Sequence, residues 1–316
     1  MRRLSRRLSR RIGFLLRILA PLLAAVAWTA AAPAQELTDG GVEAAPEADS
    51  AIARGKYILY AAGCVTCHSS EDEGAMPLAG GRALETPFGT FHTPNITPHQ
   101  TMGIGQWSET DFLRALRRGL SRNGSPYYPA FPYTSYAGMT VQDARDLFSY
   151  LRSLQPVANA VPDHDLAFPY NFRLALWPWR WLYFDSAPFQ PDPDRSAEWN
   201  RGAYLVNHLG HCGECHTPRN ALGAKDEARH LAGNPEGPEG KAVPNITPHE
   251  ANGVGDWDTA DLTFFLKTGF LPDGDVAGGG MNSVIEDSTG HLTDADLNAI
   301  ATYLQSLKPM ADAGGQ

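Results

Sequence analysis

Apolar residues recur at helical spacing in several stretches of this chain. Residues 111–120 are amphipathic, and Ser108 followed by Asp111 resembles the capping box that starts many helices. Thr140 and Thr293, each with an aspartate three residues later, mark the starts of two further helices in the same way. No alternation of apolar and polar residues, the pattern of a strand, competes with these signals. The pattern therefore predicts an all-α fold.

Several motifs occur twice, at offsets near 150 residues. The pairs are Arg54-Gly55-Lys56-Tyr57 with Arg201-Gly202-Ala203-Tyr204, Cys64–His68 with Cys212–His216, Pro94–Pro98 with Pro244–Pro248, and Gly103–Trp107 with Gly253–Trp257. Because the copies are collinear, the chain contains one structural unit twice.

The repeat predicts the domain organisation. We expect two tandem helical domains at residues 51–157 and 199–310, joined by a linker at 158–198 and followed by a tail at 311–316. Both units contain long loops rich in glycine and proline. Such loops are too long for a compact domain unless something fills its middle.

The first 34 residues differ from the rest. Seven arginines precede an apolar run from Ile18 to Ala32, which ends in Ala32-Pro33-Ala34. This is the pattern of a secretory signal peptide, and the run is shorter than the ~20 residues of a spanning helix. We expect cleavage after Ala34, a linker at 35–50 and a periplasmic location, with an uncleaved membrane anchor as the alternative.

Charge narrows the range of partners. The full chain has a formal net charge of −9, and removing the seven arginines of residues 1–34, which include no acidic residue, makes it −16. A nucleic-acid partner is therefore not expected. The balance fits a soluble extracytoplasmic protein.

All four cysteines lie in two Cys-x-x-Cys-His groups, the attachment signature of c-type haem. On a helix, residues at i, i+3 and i+4 share a face, so both thiols can bind the haem vinyl groups while the imidazole reaches the iron. The motifs predict two covalent haems, held by Cys64 and Cys67 with His68, and by Cys212 and Cys215 with His216.

Two other interpretations of the cysteines remain open. A zinc site built from two Cys-x-x-Cys knuckles normally has them much closer in sequence than Cys67 and Cys212. A thioredoxin-like redox pair, or local disulfides, would leave the histidine after each pair as a coincidence.

A six-coordinate haem iron needs a distal ligand, and methionine sulfur suits electron transfer at high potential. Met281 follows three glycines just before the last helix and is our candidate in the second domain. In the first domain we choose Met139 over Met76 and Met102, because it directly precedes the last helix. Met139 aligns with Leu292, so the alternative is a hydrophobic staple of that helix.

Further aromatic residues have two interpretations each. Trp107 and Trp257 follow Gly-x-Gly turns and serve either as core residues or as donors to a haem propionate. The linker contains Trp177-Pro178-Trp179-Arg180-Trp181, which suits interdomain packing or docking to a membrane or protein partner. His211, beside Cys212, is expected at the surface.

The segments Arg201–Val206 and Gly210–Asn220, together with both Pro-Asn-Ile-Thr-Pro loops, resemble the cytochrome c subunits of membrane-bound alcohol, gluconate and related dehydrogenases. The resemblance covers nearly all of residues 51–310. It implies class I cytochrome c domains that take electrons from a quinoprotein or flavoprotein dehydrogenase and pass them to quinone or a terminal acceptor. Most members have three haem domains, whereas this chain has two.

The resemblance has two further implications. Gly55 and Gly202 on the first helices should pack against Tyr150 and Tyr303 on the last. Where the family often has an iron-binding methionine in Pro-Ala-Met-Pro, this chain has Phe131. Either Met139 substitutes, or the first haem lacks a sulfur ligand.

The sequence therefore predicts a dihaem electron carrier that makes and breaks no bonds of its own. Its expected partners are a dehydrogenase as donor and a respiratory acceptor or oxidase, with peripheral membrane association. The alternative is a dihaem enzyme, peroxidase-like or sulfur-oxidising, with an open coordination site at the first haem.

Overall fold

A computed structural model describes residues 50–312, apart from the side chain of Glu239. The predicted signal peptide, residues 1–34, and all but the last residue of the linker at 35–50 lie outside this range. Within it, no helix is long and apolar enough to cross a membrane.

The first repeat contains five helices. They are α1 (Ala51–Ala61), α2 (Cys64–His68), α3 (Glu109–Arg118), α4 (Tyr133–Tyr136) and α5 (Val141–Ser153). The predicted caps are confirmed: Ser108 and Asp111 form a reciprocal capping box on α3, and the Thr140 side chain accepts a hydrogen bond from the Asp143 amide at the start of α5. Helix starts could therefore be located from sequence.

The linker and the second repeat supply six more helices. They are α6 (Leu176–Tyr183) in the linker, α7 (Ala197–Tyr204), α8 (Gly213–His216), α9 (Thr259–Thr268), α10 (Gly280–Asp287) and α11 (Asp294–Gln305). A π-helical turn, Leu205–Leu209, continues α7. Thr293 caps α11 as predicted, since its side chain accepts from the Asp296 amide.

The all-α prediction needs one correction, because a small antiparallel sheet lies in the first repeat. Its strands are β1 (Ala83–Thr86), β2 (Gly89–His92) and β3 (Asp165–Leu166), in the order β1-β2-β3. β1 and β2 form a hairpin that pairs Ala83 with His92, and the linker adds β3 by pairing Leu166 with Gly89. Strands of two to four residues are too short for their alternation to stand out in a sequence.

The first and last helices of each repeat cross at a glycine. A Cβ on Gly55 would overlap the Asp146 carbonyl and lie 2.8 Å from Cβ of Tyr150. A Cβ on Gly202 would likewise overlap the Ala299 carbonyl and lie 2.8 Å from Cβ of Tyr303. The predicted contacts of both glycines are thus confirmed, and only a residue without a side chain permits such close backbone approach.

Tyrosines interlock the two repeats in a reciprocal way. Tyr57 on α1 donates to Asp296 Oδ2 at 2.5 Å, where α11 begins in the other repeat. Tyr204 on α7 donates to Asp143 Oδ2 at 2.5 Å, where α5 begins in the first repeat. Tyr57 and Tyr204 are equivalent positions of the repeat, so the two copies are related by an approximate twofold arrangement.

Both repeats contribute to one hydrophobic core. Ile58, Leu147 and Leu151 from the first repeat belong to the same buried cluster as Leu209 and Leu297 from the second. Burying a side chain of this size stabilises the fold by about 1.5–3 kcal/mol. The described residues accordingly form one compact unit.

Candidate functional site

Each Cys-x-x-Cys-His group lies on a short helical turn. Cys64–His68 forms α2, and Cys212 is the residue that precedes α8, which ends at His216. All four thiols are free, not paired in disulfides. In both copies, the two thiols and the imidazole are therefore spaced along one helical turn, as predicted for attachment to a haem.

The thiols lie in apolar surroundings. Burial, together with the neighbouring cysteine of each pair, raises the pKa of the Cys64 and Cys212 thiols to about 12. Within residues 50–312, no three side chains of the His, Cys, Asp or Glu type are grouped to hold a metal ion. The donor set fits covalent haem and does not fit the zinc alternative.

Each motif histidine is oriented by a backbone carbonyl. His68 Nδ1 lies 2.8 Å from the Pro94 oxygen, and His216 Nδ1 lies 2.7 Å from the Pro244 oxygen. A carbonyl only accepts, so Nδ1 carries the proton and the lone pair of Nε2 is left to bind iron. Burial lowers the pKa of both imidazoles, which favours the neutral form that ligates metal.

The Pro-Asn-Ile-Thr-Pro loops supply these carbonyls, a role that the sequence did not reveal. Asn95 Oδ1 accepts from the amide and the hydroxyl of Thr97, and its amide nitrogen donates to the Val157 carbonyl at 2.8 Å. In the second copy, Asn245 makes the same turn and donates to the Met310 carbonyl at 2.6 Å. The chain that follows each last helix thus fixes the loop that orients the histidine.

Met281 lies in the first turn of α10 and packs, partly buried, against the hydrophobic core. The three glycines before it are open, since a Cβ on any of them would have no heavy atom within 4 Å. Nothing in these contacts conflicts with the predicted role of Met281 as distal ligand, which stays a prediction.

Phe131 occupies the position of Met281 in the first repeat. An isolated β-bridge joins Leu120 to Pro126 in one copy and Phe270 to Val276 in the other. Phe131 and Met281 each follow the second partner of their bridge by five residues. The structural repeat therefore has a phenylalanine where a distal methionine is expected for the first haem.

Met139 has the surroundings of a hydrophobic staple. It is fully buried in the shared core, directly before the N-cap Thr140, and the equivalent Leu292 is buried in the same way before Thr293. These contacts favour the staple interpretation. Its role as iron ligand is not tested by them and stays a prediction.

Trp107 and Trp257 both pack, partly buried, against apolar clusters. In the described part of the chain, neither indole N–H donates to a protein acceptor. Their rings contribute to packing, and their role as donors to a haem propionate stays a prediction.

Glu214 joins the second motif to the first repeat. Its Oε1 accepts from Ser135 Oγ at 2.7 Å and from Thr134 Oγ1 at 3.1 Å, both on α4. Lys225 Nζ lies 3.0 Å from Oε1 and Arg219 Nη2 lies 2.6 Å from Oε2. Although burial alone would raise the pKa of Glu214, the two cations and these hydrogen bonds hold it far below its usual value. Sequence reasoning missed this residue.

The two motif loops lie against each other. Tyr136 donates to the Ala62 carbonyl at 2.6 Å, two residues before Cys64, and the edge of its ring meets His211 at 5.4 Å between centroids. A Cβ on Gly63 would lie 3.7 Å from His211 Nε2. His211, expected at the surface, is partly buried between the two attachment sequences. The fold thus brings the two candidate centres together.

Comparison with known proteins identifies the family to which this chain belongs. The family model for cytochrome c matches residues 52–155 and 200–308. A "Diheme cytochrome c-type" protein of Cereibacter sphaeroides is 47% identical over 256 residues, which are 80% of this chain and 84% of that protein.

Two dehydrogenase subunits are also similar. The fructose dehydrogenase cytochrome subunit of Gluconobacter japonicus is 40% identical over 265 residues, 83% of this chain and 54% of the subunit. The gluconate 2-dehydrogenase cytochrome c subunit of Pantoea cypripedii is 41% identical over 267 residues, 82% of this chain and 60% of the subunit. The match thus spans little more than half of each subunit. The chain belongs to the cytochrome c family and carries two covalently bound haem c groups.

Proposed function

We propose that this protein is a periplasmic electron carrier that accepts electrons from a dehydrogenase and passes them to a respiratory acceptor. The observation that carries the proposal is the duplicated motif, in which His68 and His216 are each oriented by a proline carbonyl within one compact unit. The arginine-rich, apolar N-terminus supports export. The resemblance to the cytochrome c subunits of dehydrogenases implies a respiratory acceptor.

The chain's own residues hold and tune the haems. A bound haem supplies an iron that changes its oxidation state by one electron. Cys64, Cys67, Cys212 and Cys215 would hold the two groups by thioether bonds. Pro94 and Pro244 fix the proton of each motif histidine on Nδ1, which strengthens its Nε2 as a ligand. Met281 would raise the reduction potential of the second centre relative to a histidine ligand.

The contact between the motif loops supports electron exchange within the chain. Gly63, which precedes the first motif, lies against His211, which adjoins the second. Tyr136 of α4 contacts both sides, because it donates to the Ala62 carbonyl and its ring meets His211. Because electron tunnelling weakens with distance, a fold that holds the two attachment sequences in contact favours transfer between them. Glu214 maintains this contact through its bonds to α4.

The relatives support a dehydrogenase as the donor, since two of them are cytochrome subunits of fructose and gluconate dehydrogenases. The test uses the tagged full chain purified from its own host together with the dehydrogenase that accompanies it. Addition of that enzyme's substrate should reduce both haems, observed as growth of the α-band. If both stay oxidised while dithionite reduces them, the proposal is wrong.

One observation favours a second candidate, an enzyme with an open iron at the first haem. Phe131 stands where the second repeat has Met281. If the first iron is open, cyanide should bind to one ferric haem per chain, and Phe131→Met should abolish that binding. An electron carrier with two closed sites would show no high-spin ferric haem before cyanide is added, and any cyanide would bind slowly by displacing a methionine.

A further inference from the structure

The linker between the repeats exposes a row of large apolar side chains. The exposed fractions are 85% for Phe168, 58% for Phe172, 64% for Leu174, 46% for Trp177 and 47% for Trp181. Leu174, Trp177 and Trp181 lie at i, i+3 and i+7, which places them on one side of α6 and the turn before it. We call these five residues the aromatic face. A concentration of exposed apolar side chains of this kind is typical of an interaction site.

The opposite side of the linker is anchored to the protein. Arg180 donates to the Arg118 carbonyl at 2.6 Å, and its guanidinium lies 4.6 Å from the centre of the Phe184 ring. Trp179 donates to the Leu222 carbonyl of the second repeat at 2.8 Å. Interdomain packing thus explains Trp179 and Arg180. It does not explain the exposure of Phe168, Phe172, Leu174 and Trp177.

The polarity of α6 is the reverse of that of an ordinary surface helix. Its arginine and one indole N–H face inward, where they find acceptors, and its apolar side chains face outward. A surface helix normally turns its apolar side toward the core. An eight-residue helix, about 12 Å long, is also too short to span a bilayer. It has the dimensions of an element that lies in a membrane interface.

Arginines lie beside the aromatic face, although the chain as a whole is negative. Residues 166–184 contain no acidic residue and two arginines, of which Arg180 faces inward, and residues 112–134 contain four arginines and no acidic residue. The two segments are neighbours, since Arg173, Leu174 and Trp177 line a cavity of about 230 Å³ together with residues 123–126. Of the four arginines, Arg117 is buried and Arg118 is exposed. Arg114 and Arg122 both pair with Asp111, and the Arg122 side chain is 47% exposed.

We propose that the aromatic face and its arginine rim bind the surface of an anionic phospholipid bilayer. Tryptophan and phenylalanine rings lie well at the depth of the headgroups, and arginines there attract anionic phosphates. The acidic remainder of residues 50–312 would be repelled from such a surface, so this part of the chain attaches through the aromatic face. The linker then lies against the lipid, with both repeats above it.

The experiment uses the intact dihaem protein and vesicles. Protein is floated with vesicles of phosphatidylcholine mixed with phosphatidylglycerol, or of phosphatidylcholine alone, and is detected by its Soret absorbance. The native protein should float with the anionic vesicles, less with neutral ones, and less at high salt. Failure to float with anionic vesicles overturns the proposal, as does capture of the face by a dehydrogenase subunit in the absence of lipid binding.

Variants separate the apolar contribution to vesicle binding from the electrostatic contribution. Leu174→Gln combined with Trp177→Gln should weaken vesicle binding at least tenfold, and Arg122→Gln should weaken it about fivefold. The matched control is Phe264→Gln, because Phe264 is 56% exposed but lies on α9, outside the aromatic face. It should bind like the native protein. Equal binding by the double variant and the control would overturn the proposal, and unchanged Soret spectra and melting temperatures verify that all variants are folded.

Discussion

The replacement Glu214→Gln tests how the second motif is attached to the first repeat. Glutamine keeps the shape of the side chain and can still accept from Ser135 and Thr134. It removes the negative charge that faces Lys225 and Arg219. Two cations then remain beside an uncharged group in a largely buried position.

The size of the effect follows from burial. The Glu214 side chain is 10% exposed, and those of Lys225 and Arg219 are 15% and 29% exposed. Removing one partner of a buried ion pair typically costs about 3–5 kcal/mol. Since two hydrogen bonds survive and Arg219 reaches water, we expect a loss near the lower end, about 3 kcal/mol in the free energy of unfolding.

Urea unfolding followed by far-ultraviolet circular dichroism measures this loss. The matched control is Glu109→Gln, which breaks an ion pair with Arg145 whose side chains are 52% and 50% exposed. An exposed pair contributes about 0–1 kcal/mol, so this variant should stay close to the native protein. If the two variants lose the same stability, the reasoning about Glu214 is refuted.

The same residue predicts a dependence on pH. Its pKa lies far below the ordinary value of 4.5 because of Lys225, Arg219 and the hydroxyl donors. A carboxyl with a lowered pKa in the folded state contributes stability that is complete above its unfolded pKa and is lost as the pH falls below it. The native protein should therefore lose stability below about pH 4.5 more steeply than Glu214→Gln does. If the free energy of unfolding falls equally steeply with acid in both proteins, the lowered pKa of Glu214 is contradicted.

Three further predictions concern the interlock and the distal ligands. Tyr204→Phe should lower the free energy of unfolding by about 1–3 kcal/mol, because it removes the donor to buried Asp143, and thermal melting checks this. Met281→Leu should abolish one methionine–iron charge-transfer absorption and lower one reduction potential in a redox titration, whereas an unchanged spectrum would exclude Met281. Met139→Leu should leave the spectrum unchanged and cost less than about 1.5 kcal/mol, as expected of a staple; loss of a charge-transfer band would instead identify Met139 as a ligand.

Much of the fold could be predicted because its signals are local. Ser108, Thr140 and Thr293 cap helices with residues three positions away, and the Cys-x-x-Cys-His groups carry their chemistry within five residues. The contacts of Gly55 and Gly202 followed from the resemblance and the repeat. In each case the interacting groups are close in sequence or occur twice.

The rest depends on contacts between distant segments. The third strand of the sheet comes from the linker, and its partner Gly89 gives no sign of the pairing by itself. The role of Pro94 is carried by a backbone carbonyl, which every residue has. Glu214 occupies a variable position inside its motif, and its partners on α4 are about 80 residues away. No residue type indicates from sequence alone that it will contact a distant segment.

The reciprocal bonds of Tyr57 and Tyr204 have a consequence for how the chain can be divided. Each tyrosine completes the start of a helix in the opposite half, so a single half expressed alone loses the tyrosine donor to its aspartate and exposes an apolar flank, although Asp296 keeps its bonds from Arg201. Association with a second copy of itself would supply the tyrosine donor and cover the apolar flank. The natural chain is in this sense a covalent dimer, and its halves should mature and unfold together.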